Sequence, residues 1–442
     1  MTIDTPVRDV ASLLSDATSK TWAMVSGVTG NIIETRGLHA GLGALCSVEN
    51  LDNTHPRILA EVVSFDGDAL KLIAYHDMAG VSRRSRVRLI SSRLGCKVGQ
   101  NLLGRVISPL GEALDSRPLR ASSREADYLG CQIPPLERAA IMEPLDVGVR
   151  AINALLTMAK GQRLGLIAGS GVGKSTLLGM ITKNTEADVV IVGLIGERGR
   201  EAHDFIENVL GRDGMKRAVI VLATADSTAV MRRRGADLCH TLAEYFRDQG
   251  LNVLMLLDSL TRIAHAQREI GLAIGEPPTS KGYPPSVFTW LPALMERGGM
   301  GRPGSGSISS IYTVLAEHEH GNDPIVEVAR ATLDGQIMLS RSLADVSHYP
   351  AIDMNGSISR LAQKVISPED LELASTYRRL WSIYEQNRDI LSVGAYKAGS
   401  DQDLDTAIEL RGQMVEFAQQ DMSDVTDLSA SMRQLRQAIS SQ

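Results

Sequence analysis

Three segments in the middle of the chain consist almost entirely of apolar residues. They lie at residues 189–195, 218–222 and 253–257. Strands of a parallel sheet have this composition when helices cover both faces of the sheet, because neither side of such a strand meets water. The sequence therefore predicts an α/β region, with strands that alternate with helices, between residues 93 and 365.

The pattern differs before and after this central region. From Trp22 to about Ile90, short β-rich segments alternate with glycine-containing turns, which is typical of a small β-barrel. After Ile366 the spacing becomes helical, and Ser367 with Asp370 has the sequence of a capping box. The apolar stripe of the last helix either packs in a core or seats a partner helix. That stripe consists of Val425, Leu428, Met432, Leu435 and Ile439.

The first 20 residues form a separate short segment. Val7, Val10 and Leu14 have helical spacing, but a helix of this length is not stable alone. Its other positions hold three aspartates and one arginine, whereas a lipid-binding helix would carry basic residues there. We expect this segment to dock on a partner protein; an ordinary packed chain end is the alternative.

A glycine-rich loop lies between an apolar strand and an apolar helix. Glycines let successive backbone N–H groups turn inward to form an anion-binding nest, and the following helix points its positive end at the same place. A lysine in such a loop reaches the β- and γ-phosphates, and the next hydroxyl binds Mg²⁺. The sequence predicts nucleoside triphosphate binding rather than an inert glycine turn. The loop residues are Gly169, Ser170, Gly171, Val172, Gly173, Lys174, Ser175 and Thr176, after Ala168 where the full pattern has glycine.

Composition narrows the function classes further. The chain has 46 basic and 52 acidic residues, a net charge of −6, which disfavours a broad nucleic-acid-binding surface. No apolar segment approaches the length of a membrane span, and the N-terminus lacks the pattern of a signal peptide. We expect a cytoplasmic protein that is at most peripheral to a membrane. The cysteines, which form no CxxC pair and are expected to be buried thiols, are Cys46, Cys96, Cys131 and Cys239.

Hydrolysis requires carboxylates beside the phosphate loop. Asp258 ends the strand at 253–257, where an acidic residue can hold Mg²⁺ or cap the next helix. Glu197 follows the strand that ends at Ile195, where a carboxylate can polarise a water molecule toward the γ-phosphate. A glutamate after a strand is otherwise most often a helix cap.

Several longer motifs give the chain a specific resemblance from about residue 22 to the C-terminus. They resemble the catalytic subunits of rotary ATPases and, more narrowly, the ATPases of bacterial type III export. Within that group the phosphate loop, including Ala168, is similar to the flagellar branch. A proline expected before Arg232 is missing. The motifs lie at 153–156, 168–175, 194–201, 257–262, 275–288 and 349–353.

The resemblance implies roles for residues in the loop and at the strand ends. Lys174 and Ser175 are expected on phosphate and Mg²⁺, Glu197 as the catalytic carboxylate, and Asp258 at the magnesium. Arg198 is expected to contact phosphate or the neighbouring subunit, with a surface salt bridge as the alternative.

Two further residues owe their interpretation to the resemblance alone. Tyr349 matches the aromatic residue that stacks on adenine, although a Tyr-Pro pair is otherwise simply a turn. Arg360, in the motif at 356–360, matches an arginine that reaches the active site of the next subunit. Without the resemblance it reads as a surface arginine.

The resemblance also implies a fold and a function. The expected activity is Mg²⁺-dependent ATP hydrolysis that energises flagellar type III protein export by a ring, expected to be a homohexamer. Expected partners are a stator-like subunit at the N-terminus, a stalk-like subunit at the C-terminal domain, the export gate and substrate–chaperone complexes, at the cytoplasmic face of the inner membrane. The predicted domains are a docking segment at 1–20, a β-barrel at 21–92, a RecA-like P-loop ATPase domain at 93–365 and a helical domain at 366–442.

Other functions remain open at this point. A virulence-secretion ATPase shares the mechanism, and an ATP synthase catalytic subunit is a more distant possibility. A ring subunit that binds nucleotide without hydrolysis is disfavoured by Glu197, because such subunits usually lack a carboxylate there. A nucleic-acid translocase is disfavoured by the acidic balance and by the lack of a basic, aromatic strand platform in the barrel.

Overall fold

The computed structural model describes residues 22–49, 56–119, 124–130, 132–316 and 323–440. The predicted docking segment and Cys131 lie outside these residues. In the described part, no helix is both long enough and apolar enough to cross a membrane. The thiols of Cys46 and Cys96 are buried, and burial raises their pKa to about 11 and about 12. Cys239 is buried as well.

Six strands form a closed barrel at the N-terminal end of the described chain. Alternate residues of the first strand, such as Ala23 and Val25, point into the barrel and are buried there. The barrel order is β1-β2-β5-β4-β3-β6. The strands are β1 (Trp22–Thr29), β2 (Ile32–Arg36), β3 (Leu45–Glu49), β4 (Ile58–Asp66), β5 (Ala69–Ala74) and β6 (Arg86–Ser91).

A nine-stranded sheet forms the centre of the molecule, with the order β19-β18-β12-β17-β15-β13-β14-β8 and β16 beside β17. All strands along this order are parallel except β19, and β16 is also antiparallel. The three apolar segments lie in β13, β14 and β15. The strands are β8 (Arg105–Ile107), β12 (Arg163–Ala168), β13 (Val189–Glu197), β14 (Ala218–Thr224), β15 (Asn252–Asp258), β16 (Gly299–Met300), β17 (Ser307–Leu315), β18 (Gly335–Leu339) and β19 (Ile352–Ser359). Two small pairs complete the strands, namely β7 (Gly95–Val98) with β9 (Arg124–Asp127) and β10 (Pro144–Leu145) with β11 (Met158–Ala159).

Helices cover both faces of the central sheet. Residues of β13 alternate between two cores: Val190 and Val192 belong to one, and Ile191 and Ile195 to the other. The helices that follow the barrel are α1 (Arg150–Leu155), α2 (Lys174–Asn184), α3 (Gly199–Asp204), a π-helix (Phe205–Leu210), α4 (Gly211–Met215), α5 (Ala229–Asp248), α6 (Leu260–Ile274), α7 (Pro285–Met295), α8 (Pro324–Thr332) and α9 (Arg341–Asp345).

The last part of the described chain is helical and extends the core on the α2 side of the sheet. Ser367 caps the first long helix by accepting a hydrogen bond from the Asp370 amide at 3.1 Å. Asp427 caps the last helix, so Val425 lies before it with 66% of its surface exposed and does not join the predicted stripe. The helices are α10 (Ala362–Val365), α11 (Pro368–Gln386), α12 (Arg388–Ser392), α13 (Gln402–Ala418) and α14 (Leu428–Ile439). The fold class predicted from the sequence is confirmed.

Buried ion pairs join the barrel to the central region, and we call them the junction network. It consists of Glu61, Arg234, Asp237, Glu244 and Arg297, all buried. Glu61, on barrel strand β4, pairs with Arg234 of α5, which also donates to Asp237 at 3.2 Å. On the same helix, Glu244 accepts from Arg297 Nε at 2.7 Å.

Candidate functional site

The phosphate loop connects the carboxyl end of β12 to the first residue of α2. Gly171 and Gly173 have φ values of 75° and 89°, a left-handed backbone that glycine adopts without steric cost. Ala168, which the predicted pattern has as glycine, is buried and is not among the residues with positive φ. An alanine therefore fits this position without backbone strain.

The structure brings together the three charged residues that the sequence placed near the phosphate. Lys174 Nζ lies 2.5 Å from Asp258 Oδ1 and 3.5 Å from Glu197 Oε1. Their side chains are only 12%, 5% and 13% exposed. We call these residues the acidic cluster, because one ammonium group faces two carboxylates.

Burial and charge set the ionisation of this cluster. Burial, and then the negative charge of Asp258, raise the pKa of Glu197, while the Lys174 ammonium opposes this shift. The excess of one carboxylate leaves a demand for positive charge, and carboxylate and hydroxyl oxygens are the donors that Mg²⁺ prefers. Asp258 and the exposed Ser175 therefore suit a magnesium ion held against a bound phosphate chain.

A bulge positions Glu197 at the end of β13. The pairing of β13 with β14 shifts register between Ile195 and Glu197, and Gly196 between them has a φ of 79°. A Cβ atom on Gly196 would lie 2.7 Å from Arg262 Cβ, so only glycine lets α6 approach here. Arg262 was not predicted as a site residue, although one of the quoted motifs ends on it.

A second residue missed by the sequence reasoning is Thr313. Its hydroxyl donates to Asp258 Oδ1 at 2.6 Å from the neighbouring strand β17. The carboxylate is thus held between a hydroxyl and an ammonium group. The strand Ser307–Leu315 carries several other hydroxyl residues, so nothing in the sequence singled out Thr313.

A cavity of about 550 Å³ opens beside the phosphate loop. Three arginines from three helices line it together with the loop backbone and one carboxylate, that of Asp323, so it offers net positive charge to a polyphosphate. Arg341 Nη1 donates to the Ser170 carbonyl at 3.2 Å, and α6 supplies two basic residues and Thr261 to the same cavity. The basic lining residues are Arg262, His265, Arg330 and Arg341.

Tyr349 lies against the phosphate loop. A Cβ atom placed on Gly173 would be 3.3 Å from its ring, and the residue is 43% exposed. Its carbonyl accepts from the Gln420 backbone amide at 3.0 Å, which ties it to the connection between α13 and α14. The ring therefore lies directly beside the predicted phosphate-binding loop.

The two remaining predicted residues do not join this group within one chain. Arg198 is 83% exposed in its side chain and pairs with Glu201 at 3.4 Å, as in the salt-bridge alternative. Arg360 follows β19, which is antiparallel to β18, and so lies at the amino edge of the sheet. The phosphate loop lies at the opposite, carboxyl edge. The six residues of β12, which run from one edge to the other, span about 17 Å.

Two protein families match successive parts of the chain. Residues 148–359 match the nucleotide-binding domain of the ATP synthase alpha/beta family. Residues 366–437 match the type III secretion EscN ATPase C-terminal domain.

Curated relatives match over nearly the whole chain. The flagellum-specific ATP synthase of Pseudomonas aeruginosa is 48% identical over 412 residues, 92% of this chain and 91% of that protein. The flagellum-specific ATP synthase of Salmonella typhimurium is 47% identical over 94% of this chain and 92% of its own length. The type 3 secretion system ATPase of Xanthomonas euvesicatoria is 43% identical, with coverages of 93% and 92%.

Solved structures agree with these matches. The assembled ATPase EscN of the enteropathogenic E. coli type III secretion system superimposes with a TM-score of 0.89 at 38% identity. That match covers 95% of this chain and all of the EscN chain. EscN in complex with its central stalk EscO matches with a TM-score of 0.87, again at 38% identity and with the same coverages.

Proposed function

The chain belongs to the ATP synthase alpha/beta family, among the flagellum-specific ATP synthases and type 3 secretion ATPases, and from this premise we propose that it hydrolyses MgATP to energise flagellar type III protein export. The observation that carries the proposal is the acidic cluster at the end of the phosphate loop. Lys174 there is within reach of both Glu197 and Asp258.

The proposed chemistry assigns each side chain one task. The backbone N–H groups of residues 169–173 and the Lys174 ammonium bind the phosphate chain and neutralise its charge. When bound by Ser175 and Asp258, Mg²⁺ supplies charge stabilisation at the transferring phosphoryl group. Glu197, with a pKa raised by burial, orients the attacking water and accepts hydrogen bonds from it. Tyr349 stacks on the adenine ring.

We propose further that the active form is a ring, a homohexamer, in which Arg360 of each subunit completes the active site of its neighbour. The position of Arg360 at the sheet edge opposite its own phosphate loop supports a role in trans. The assembled state of EscN, a structural relative, supports a ring. An arginine supplied in this way is worth roughly 10³–10⁵ in rate, or about 4–7 kcal/mol.

A subunit-mixing experiment tests this function. Arg360→Ala and Glu197→Gln subunits should each bind ATP and hydrolyse it very slowly. Mixed together they should recover activity, because some interfaces pair an intact Glu197 with an intact Arg360. Specific activity should also rise with protein concentration as rings assemble. Constant activity at concentrations where sizing finds only monomer, with no recovery in the mixture, would contradict the proposal.

The proposed partners and location follow the same family. We propose that residues 1–20 bind a stator-like subunit, and that the helical domain at 366–442 binds a stalk-like subunit, as EscN binds EscO. The export gate, substrate–chaperone complexes and the cytoplasmic face of the inner membrane complete the proposed setting. We also propose the domain boundaries predicted from the sequence, a β-barrel at 21–92 and an ATPase domain at 93–365.

A virulence-secretion ATPase is the second candidate function. It is favoured by the 43% identity to the Xanthomonas euvesicatoria protein and by the similarity to EscN. The genes that neighbour this one, flagellar or virulence-associated, distinguish the two organelles.

A further inference from the structure

A group of hydrogen bonds surrounds the backbone where β19 ends and Arg360 follows, at the amino edge of the central sheet. It joins three segments: the residue before β12, the turn before β18 and the last residue of β19. We call Gln162, Asp334 and Ser359 the edge cluster.

Gln162 is at the centre of the edge cluster and is completely buried. Its amide nitrogen donates to Ser359 Oγ at 2.9 Å and to the Asp334 carbonyl at 3.2 Å. Its amide oxygen accepts from the Ala159 backbone at 2.8 Å, and Ser359 Oγ in turn donates to the Thr157 carbonyl at 2.9 Å. The side chain of one residue therefore fixes the end of β19 to the beginning of β12.

Asp334 strengthens the same connection through its backbone and its carboxylate. Its carbonyl accepts from the Arg360 amide at 3.0 Å, and its amide donates to the Arg163 carbonyl at 2.8 Å. Its carboxylate accepts from the Arg163 backbone at 3.0 Å and from Arg163 Nε at 3.2 Å. The backbone of Arg360 is thus hydrogen-bonded to a turn that is itself attached to β12.

The Arg360 side chain has its own support on α8. Its Nη1 donates to the Leu333 carbonyl at 3.1 Å and its Nη2 to the Arg330 carbonyl at 3.2 Å. These carbonyls lie at the C-terminal end of α8, where the helix dipole favours a cation. Arg360 itself remains exposed to solvent.

We propose that Gln162 and Ser359 are positioning residues for Arg360, and that they hold this arginine to the strand that carries the same subunit's phosphate loop. The inference rests on the proposed role of Arg360 in the neighbouring active site. Without the hydroxyl of Ser359, the end of β19 loses its bond to Gln162, and the buried amide nitrogen of Gln162 loses the nearer of its two acceptors. Arg360 then samples orientations that do not reach the neighbour, while the loop of its own subunit stays intact.

The test isolates the contribution that the Arg360 of one subunit makes to the ATPase rate of its neighbour. Ser359→Ala is added to Glu197→Gln, and these subunits are mixed with Arg360→Ala subunits. Every productive interface then combines an intact Glu197 with an Arg360 from a Ser359→Ala subunit. Any effect of the substitution on its own active site cannot contribute, because that site already lacks Glu197.

We expect the recovered ATPase rate to fall about three- to tenfold relative to the same mixture without Ser359→Ala, the effect of about one hydrogen bond. Ser357→Ala is the matched control. Ser357 is a buried serine of the same strand, but its hydroxyl accepts from the Met338 amide on β18 at 2.9 Å. This control should lower the recovered rate less than twofold. Sizing of each mixture should show equal assembly.

Gln162→Met, which keeps the shape and removes the amide, is the second variant. It should reproduce the loss, and the double variant with Ser359→Ala should be no slower than the stronger single one. Equal rates with and without Ser359→Ala, or an equal loss with Ser357→Ala, would overturn the inference and leave the proposed function standing. No recovery in the original mixture would instead contradict the role of Arg360, and the inference with it.

Discussion

The acidic cluster and the junction network are two groups of buried charges that each hold one more carboxylate than basic groups, but they differ in how closely those charges are paired. In the acidic cluster, one ammonium group faces two carboxylates. In the junction network, two arginines face three carboxylates, but each arginine has close partners and Glu61 also accepts from the Tyr75 hydroxyl at 2.6 Å. The two groups therefore differ in how completely hydrogen bonds satisfy them.

The pKa values of Glu61 and Glu197, one glutamate from each group, shift in opposite directions because of this difference. Burial acts to raise the pKa of both residues. At Glu61 the charge and hydrogen bonds of Arg234 overcome burial, and the pKa falls below its ordinary value. At Glu197 the nearby Asp258 adds to burial, and the pKa rises. A satisfied group of charges holds two parts of the protein together, whereas an unsatisfied one is prepared for a ligand.

The largest expected effect is on catalysis in the acidic cluster. Glu197→Gln should bind MgATP nearly as the wild type does and hydrolyse it orders of magnitude more slowly, because it loses the carboxylate that acts on water. Lys174→Ala should impair binding as well as turnover, because it removes charge from the phosphate site. Nucleotide titrations and steady-state rates separate the two. Retention of more than about a tenth of the wild-type turnover by the glutamine variant, a deficit below ~1.4 kcal/mol, would exclude Glu197 as the catalytic carboxylate.

The next effect is on stability at the junction network. Arg234→Met leaves Glu61 buried without its cationic partner, and we expect a loss of about 3–5 kcal/mol in the free energy of unfolding. Adding Glu61→Gln should restore part of this loss. Denaturant unfolding in the absence of nucleotide is the measurement.

The matched control for that prediction is Arg379→Met, which breaks a surface pair with Asp403 whose members are 54% and 53% exposed. It should cost at most about 1 kcal/mol. An equal cost for both arginines would show that the junction network contributes no more than an ordinary surface pair.

The smallest effects should appear in the pH dependence of stability, with opposite signs. The pKa of Glu61 is lowered by folding, so its contribution is present above the unfolded value of about 4.3 and is lost as the pH falls through the folded pKa. The pKa of Glu197 is raised, so the wild type loses stability as the pH rises from about 4.3 through the folded pKa.

Melting temperatures of nucleotide-free protein test both signs. At neutral pH, Glu61→Gln should melt below the wild type and Glu197→Gln above it. Both differences should shrink on acidification. A destabilised Glu197→Gln variant at neutral pH would contradict the description of the acidic cluster as unsatisfied.

Sequence reasoning was most successful where a feature depends on neighbouring residues. The apolar strands, the phosphate loop and the Ser367 cap each occupy one short segment, whose own chemistry decides its shape. The position of Asp258 followed because parallel strands present their carboxyl ends at one edge.

Features that depend on distant segments could not be predicted in this way. Glu61 and Arg234 are separated by 173 residues, and neither has a local signal of its partner. Predicting the bulge at Gly196 would require knowing beforehand that α6 packs against it. Placing Arg360 at the amino edge requires the direction of β19, which pairing with β18 decides.

The direction of β19 also gives the subunit a front and a back. Tyr349 precedes the strand near the phosphate loop, and Arg360 follows it at the opposite edge of the sheet. Contacts between unlike surfaces are heterologous and produce closed rings or open filaments. If Arg360 acts as proposed, a row of subunits with two free ends always has one active site without a neighbour's arginine. Closure supplies the missing one, so activity per subunit would rise as a row lengthens and reach its full value only when the ring closes.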